Sequence, residues 1–332
     1  MLEAPLRLVV RERPVREPGP LEARVRILAA GICGTDLALG SGDYPVPLPL
    51  VPGHEWVGVV EAIGPGVIPE MLGQRVVGDI NQTCRSYDRD PACAACAADL
   101  ERHCLTRTVM GIIRADGAWA TDVIVPALNL HAVPYGISDV HAVLVEPLAA
   151  AIQTFELAPV FPGDHVVVLG AGRLGSLIAQ VARLKGARVI AVSRSPEKRK
   201  RAQKLGCKHA LAPSAKLAAA VRDITGPLGA DMVIEATGDP DSLATALTLV
   251  RPRGTIALKS TCGRPARLDA TRAVVDEIQI STSRCGPFPK ALAMIREGHL
   301  KLDPLITATL PLDQVHEGLT LAAAGGKVIL VP

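Results

Sequence analysis

The residues best suited to chemistry crowd into one turn-rich stretch, from Gly31 to Glu55. It opens with Gly31-Ile32-Cys33-Gly34-Thr35-Asp36 and ends with Pro52-Gly53-His54-Glu55. Thiolate and imidazole both suit zinc, and a catalytic zinc takes about three protein ligands and keeps one position open. Cys33 and His54 supply two of them. Glu55, or the distant Glu146 in Val145-Glu146-Pro147, supplies the third, with alternation between the two carboxylates left open. Asp36 is placed to accept a hydrogen bond from the far ring nitrogen of a ligating histidine, which fixes its tautomer. Thr35 puts a hydroxyl two residues from the thiolate, within reach of a reacting oxygen.

A second pattern begins at His165. The apolar run His165 to Leu169 leads into Gly170-Ala171-Gly172-Arg173-Leu174-Gly175 and then a helical stretch from Ser176 to Lys185. A strand, a glycine turn and a helix in this order bind a dinucleotide, because the glycines admit the pyrophosphate to the backbone at a helix N-terminus. After the next strand, Arg188 to Val192, an NAD enzyme presents Asp or Glu to the ribose hydroxyls; here the residues are Ser193-Arg194-Ser195. With no carboxylate to repel a 2′-phosphate, and with Ser193 and Arg194 able to bind one, NADP is expected over NAD. Lys198 joins them in the cofactor set, although the run Lys198-Arg199-Lys200-Arg201 also reads as a solvated helix face.

These motifs, in this order and at these separations, resemble the zinc-dependent medium-chain dehydrogenase/reductases, the superfamily of alcohol, polyol, glucose and threonine dehydrogenases. The resemblance spans essentially the whole chain. It implies a GroES-like β-rich catalytic domain, residues 1–147 and 285–332, and a Rossmann doubly wound parallel-sheet domain, residues 148–284. It carries Cys33, His54 and either Glu55 or Glu146 over as zinc ligands. Arg284 and Cys285 are carried to the nicotinamide end of the site, and Lys327 to the pyrophosphate. It also implies a structural zinc lobe near residues 84–104, held by Cys84, Cys93, Cys96 and Cys104. The family's spacing puts the first of these cysteines where this chain has Asp90, so Asp90 is the alternative to Cys84. Cys84 is preferred because lengthening a loop costs only about 0.6 kcal/mol per doubling. Many relatives carry a relay histidine five residues after the cysteine; here that residue is Ala38. Glu55 and Glu146 resemble the polyol, sugar and threonine branch, so the expected substrate is a secondary alcohol or polyol, a sugar, a diol or an amino alcohol. Homodimers or homotetramers are the common assemblies of such relatives.

The remaining composition is compatible with this. At 332 residues and 48% hydrophobic content the chain is long and apolar enough for about two domains. A net charge of +3 with interspersed signs offers no footprint for nucleic acid. No apolar run reaches the roughly 20 residues a membrane span needs, and eight cysteines in a cytoplasmic chain read as metal ligands or free thiols. Strands are expected at Leu6–Val10, Ala23–Ala29, Trp56–Ile63, Val123–Pro126, Met232–Ala236, Thr255–Leu258 and Lys327–Leu330, and a helix at Ala291–Arg296. Trp119 reads as a packing residue, with a place in the substrate cleft as the alternative; His131 and His141 read as structural, and Cys207, Cys262 and Cys285 as unremarkable thiols. Two rivals remain: a zinc-independent enone or quinone reductase of the same superfamily, and a non-catalytic nucleotide-binding protein.

Overall fold

The computed structural model describes residues 1–261 and 264–332, so Cys262 lies outside the described residues. The chain divides into two compact units. The first comprises Met1–Glu146, Phe288–Gly298 and Ile306–Pro332; the second comprises Pro147–Pro287 and His299–Leu305. The sequence-based boundaries differ in placing residues 147, 285–287 and 299–305 with the first unit. Gln180 ties the last of these to the second unit: its side chain accepts from the Lys301 amide at 2.8 Å and donates to the Lys301 carbonyl at 3.2 Å.

The first unit is built on a sheet whose central strand is Glu22–Gly31. Ala23, Val25 and Ile27 are buried on one side of it and Arg24 and Arg26 alternate outward, the two-residue period of a strand with one face in the core. Glu55–Ile63 pairs with it antiparallel on one edge and Lys327–Val331 antiparallel on the other. Asp122–Pro126 adds a further antiparallel partner. The register is what assembles the site. Gly31 stands opposite Glu55 on one neighbour and Ile329 on the other. The residues just beyond Gly31, just before Glu55 and just before Ile329 are therefore brought to the same end of the sheet. The expected strand at Leu6–Val10 shrinks to Arg7–Leu8, paired with Leu2–Ala4, because Leu6 turns the chain with φ 63°.

The second unit holds six parallel strands. Their order is His209–Leu211, Arg188–Val192, His165–Leu169, Ala230–Glu235, Val250–Leu258, Gln279–Thr282. Counted within the unit this is 3-2-1-4-5-6, the doubly wound order that creates a crevice at the carboxyl ends of the first and fourth strands. Val166, Val167 and Val168 are wholly buried, which explains why this strand reads as an unbroken apolar run without alternation.

The helical stretch Asp139–Leu157 is 19 residues long with a mean hydropathy of 1.2, enough by length and composition to cross a membrane, although Asp139, Glu146 and Glu156 interrupt its apolar run. Its apolar character is used in packing, since 61% of it is buried within the protein.

Candidate metal centre and dinucleotide site

Cys33 follows the central strand and caps the helix Gly34–Ser41. Asp36, three residues on, returns its Oδ2 to the Cys33 amide at 2.7 Å and so closes the capping box. Its other oxygen, Oδ1, lies 3.4 Å from His54 Nδ1. One carboxylate thus steadies both ligand-bearing segments. Thr35 Oγ1 lies 3.9 Å from Cys33 Sγ.

Donor atoms of Cys33, His54 and Glu55 lie within 4.8 Å of one another. His54 and Glu55 are 3% and 1% exposed. Glu146 stands in the first turn of the helix Val145–Leu157 and is not one of these three. Burial pushes the Cys33 thiol up, yet the charge and hydrogen bond of His54, helped by Lys327, outweigh it and bring the thiol down to about 6. His54 is disfavoured as a cation by burial but driven well above the usual histidine range by Asp36 and Cys33. His54 Nδ1 and Asp36 Oδ1 are both sealed from water, and neither completes a hydrogen bond. A divalent cation fits this donor set. It would take the proton's place on the ring, leave the Nδ1 hydrogen for Asp36, and neutralise the thiolate.

Glu55 is held by a residue from the far end of the chain. Lys327, expected at the pyrophosphate, is 1% exposed, and its ammonium is paired with Glu55 Oε2. Burial lowers this amine to about 8, with Cys33 and Asp36 opposing the shift, so it remains a cation at neutral pH. The pairing occupies one carboxylate oxygen and leaves the other. Gly31 makes room for it: a Cβ there would stand 2.4 Å from Glu55 Oε2 and 3.0 Å from Lys327 Nζ.

The second cysteine group is closed. The sulfurs of Cys84, Cys93, Cys96 and Cys104 all lie within 4.8 Å of one another. Cys104 Sγ is 3.6 Å from Cys84 Sγ and 3.7 Å from Cys93 Sγ. A tetrahedron of zinc–sulfur bonds of about 2.3 Å has edges of about 3.8 Å. The quartet therefore matches zinc, with Cys84 and not Asp90 in the fourth corner. Burial together with Cys93 and Cys104 pushes the Cys96 thiol up to about 12, a penalty that a central cation removes.

In the second unit the three glycines of the turn play three different parts. A Cβ on Gly170, where φ is +98°, would lie 2.5 Å from the Ala236 carbonyl, and one on Gly175 would lie 1.8 Å from the Gly170 carbonyl. These two permit the tight turn and the close helix packing. A Cβ on Gly172 meets nothing within 4 Å, so this is the backbone face left open to a pyrophosphate at the N-terminus of the helix Arg173–Leu184. Leu174 lies in the first turn of that helix. Ser195 caps the helix Pro196–Lys204 by accepting from the Lys198 amide.

Two arginines absent from the expected cofactor set complete this corner. Arg199 Nη1 donates to the carbonyls of Ser193 and Arg194 at 2.7 and 2.8 Å, which fixes the turn after the second strand. Arg201 donates to the Ala171 carbonyl at 3.1 Å and ties the helix to the glycine turn. Burial lowers the Lys198 ammonium, and Arg201, Arg173 and Arg194 lower it further. Four cations thus crowd one another, an arrangement that suits an added phosphate. Lys259 Nζ reaches the carbonyls of Ala150, Ser283 and Arg284 at 2.9 to 3.1 Å, which sets the backbone position of Arg284, and Cys285 is buried.

A glycine-turn dinucleotide fold and a buried cysteine–histidine–carboxylate group in one chain define a nucleotide-dependent, metal-type oxidoreductase. The comparisons with known proteins specify the family. Residues 19–135 match the alcohol dehydrogenase GroES-like domain and residues 174–297 the zinc-binding dehydrogenase domain. L-threonine 3-dehydrogenase of Thermococcus kodakarensis is 31% identical, the match covering 97% of this chain and 93% of that protein. Among solved structures, the rspB protein of E. coli CFT073, complexed with NADH, superposes with a TM-score of 0.92 at 29% identity, covering 100% of this chain and 98% of that one. A protein of Sinorhizobium meliloti 1021 bound to NADP gives 0.90 at 31% identity with the same coverage. The chain belongs to the zinc-binding alcohol dehydrogenase family of medium-chain dehydrogenase/reductases, and it is an oxidoreductase.

Two outcomes are expected from this geometry. Cys84→Ser lowers the zinc content by one per chain whereas Asp90→Asn leaves it unchanged, as measured by metal analysis of the purified variants. Lys327→Met leaves Glu55 buried without a counter-ion and lowers unfolding free energy by about 3 to 5 kcal/mol in denaturant titration, with Lys327→Arg less affected.

Proposed function

We propose that this protein oxidises a secondary alcohol to a carbonyl compound, and reduces it in the reverse direction, using a catalytic zinc held by Cys33, His54 and Glu55 or Glu146, with NADP preferred to NAD. The observation that carries the reading is the convergence of Cys33, His54 and Glu55, with Asp36 on the far side of the imidazole. When bound, zinc supplies the Lewis acidity that makes a hydroxyl acidic near neutral pH, and the nicotinamide supplies the acceptor for hydride. The substrate then loses one hydride from carbon and one proton from oxygen. The chain's own residues handle the proton and the electrostatics. Thr35 Oγ1 is the hydroxyl nearest Cys33 for which a contact is seen, and it is assigned as the first proton acceptor. Ala38 offers no second group, so the path beyond Thr35 does not use the usual histidine. Lys327 pairs with Glu55 Oε2 and leaves its other oxygen for a metal, which favours a site that stays open to substrate over one closed by a two-oxygen carboxylate.

The preference for NADP rests on the absence of a carboxylate after the second strand and on the crowding of Arg173, Arg194, Lys198 and Arg201. The threonine dehydrogenase relative is named for oxidation of a hydroxyl beside an amino-bearing carbon. We accordingly propose a vicinally substituted alcohol, whether polyol, sugar, 2,3-diol or amino alcohol, as the substrate class. Eight cysteines that read as metal ligands or thiols suit a reducing compartment, so a cytoplasmic setting is proposed, with a homodimer or homotetramer as the assembly.

A panel of polyols, aldoses, 2,3-diols and amino alcohols assayed with each cofactor tests this reading. Turnover of one class is expected, abolished by chelation and by Cys33→Ser; a Cys33→Ser variant with full turnover and full zinc rejects the assignment, and turnover that survives chelation favours the zinc-independent reductase. In the same assay kcat/KM is expected to be higher with NADP, and Arg194→Ala to lower it about tenfold or more with NADP and little with NAD, in line with a charge-assisted bond. Equal values for the two cofactors in the unaltered enzyme would remove the preference.

A further inference from the structure

Trp119 touches both segments that carry the metal donors, and nothing in the chemistry above uses it. Its indole is 7% exposed. Nε1 donates to the Gly31 carbonyl at 3.3 Å, two residues before Cys33. The same ring edge lies against Gly53, the residue before His54: a Cβ on Gly53 would stand 2.3 Å from Trp119 Cδ1 and 2.8 Å from Nε1. The backbone that carries Trp119 is itself railed to that segment. Gly117 and Trp119 donate to the carbonyls of Val51 and Pro52 at 2.7 and 3.0 Å, Ala118 donates to that of Gly53 at 2.8 Å, and Asp116 Oδ1 accepts from the Val51 amide at 2.9 Å. Gly111 and Gly117 close on the Gly53 carbonyl so tightly that a Cβ on either would come within 2.4 Å of it.

We propose that Trp119 is a positioning residue for the metal centre, its rigid indole setting the separation between the Cys33 strand and the His54 turn. The proposal rests on the reading that Cys33 and His54 share a metal. A plain packing role needs only the ring's volume. Donation to Gly31 adds direction, because it fixes which edge of the ring faces which segment. Small errors in ligand placement weaken a preorganised site disproportionately, and a ring with two rotatable bonds is stiffer than any aliphatic replacement of its size.

The test uses the zinc-loaded enzyme and its cobalt-substituted form. Trp119→Phe keeps the ring against Gly53 and deletes the donor; Trp119→Leu deletes both. Zinc release to a chelator is followed alongside Cys33→Ser, which identifies the ion concerned, while retention of the cysteine-quartet zinc and NADP binding report that each unit is folded. In Trp119→Phe the Cys33-site zinc is expected to leave about fivefold faster, the change commanded by one buried hydrogen bond. In Trp119→Leu it leaves faster still, with shifted cobalt–thiolate absorption. Wild-type release rates and unchanged absorption in Trp119→Phe overturn the proposal even if Trp119→Leu fails to fold. Full zinc retention by Cys33→Ser overturns the metal-site reading itself, and the proposal with it.

Discussion

The site depends on a crowding of acidic groups at one largely buried end of the sheet. Cys33, Asp36 and Glu55 are brought together there, with His54 beside Asp36 and the Lys327 ammonium paired with Glu55. Asp36, His54, Glu55 and Lys327 are each no more than 3% exposed. Unpaired charges of this kind cost several kcal/mol each in a protein interior. The chain tolerates them because the sheet register forces them into one place. A divalent cation discharges the excess, and its affinity for the site is the counterpart of that cost.

The same logic separates the two cysteine-bearing sites. The quartet at Cys84, Cys93, Cys96 and Cys104 has four soft donors and no vacancy, and its neighbours are its own loop. It can hold a fold together but cannot bind a substrate. The Cys33 group has mixed donors, an adjoining hydroxyl, and a carboxylate already half engaged by lysine. The two donor sets would suit a metal to different work, because they differ in the number and freedom of their donors.

Much of this was legible in the residues. Cys33 with Asp36, and the glycine turn at Gly170 to Gly175, are local motifs whose geometry follows from a capping box and a strand–turn–helix. The strand from His165 to Leu169 was readable because it is apolar throughout. Interactions between distant segments were not. The Glu55–Lys327 pair spans 272 residues. Its one signal was a lysine opening an otherwise apolar strand, Lys327-Val328-Ile329-Leu330. The run Lys198 to Arg201 looked like a solvated face. Residues three apart share a helix face, however, so Lys198 and Arg201 had to point together, and both are partly buried toward Arg173. The direction of the Trp119 N–H had no signal in the sequence at all.

The long separation between Glu55 and Lys327 has a consequence for biogenesis. The second unit is almost one continuous stretch, Pro147–Pro287, and every residue of it leaves the ribosome before Lys327 does. Its six-stranded sheet can therefore form during translation, while the earlier unit waits with a buried-to-be carboxylate and two unfilled sheet edges for its last strand to arrive. The nascent chain thus can complete its parallel-sheet unit before the Glu55–Lys327 pair exists.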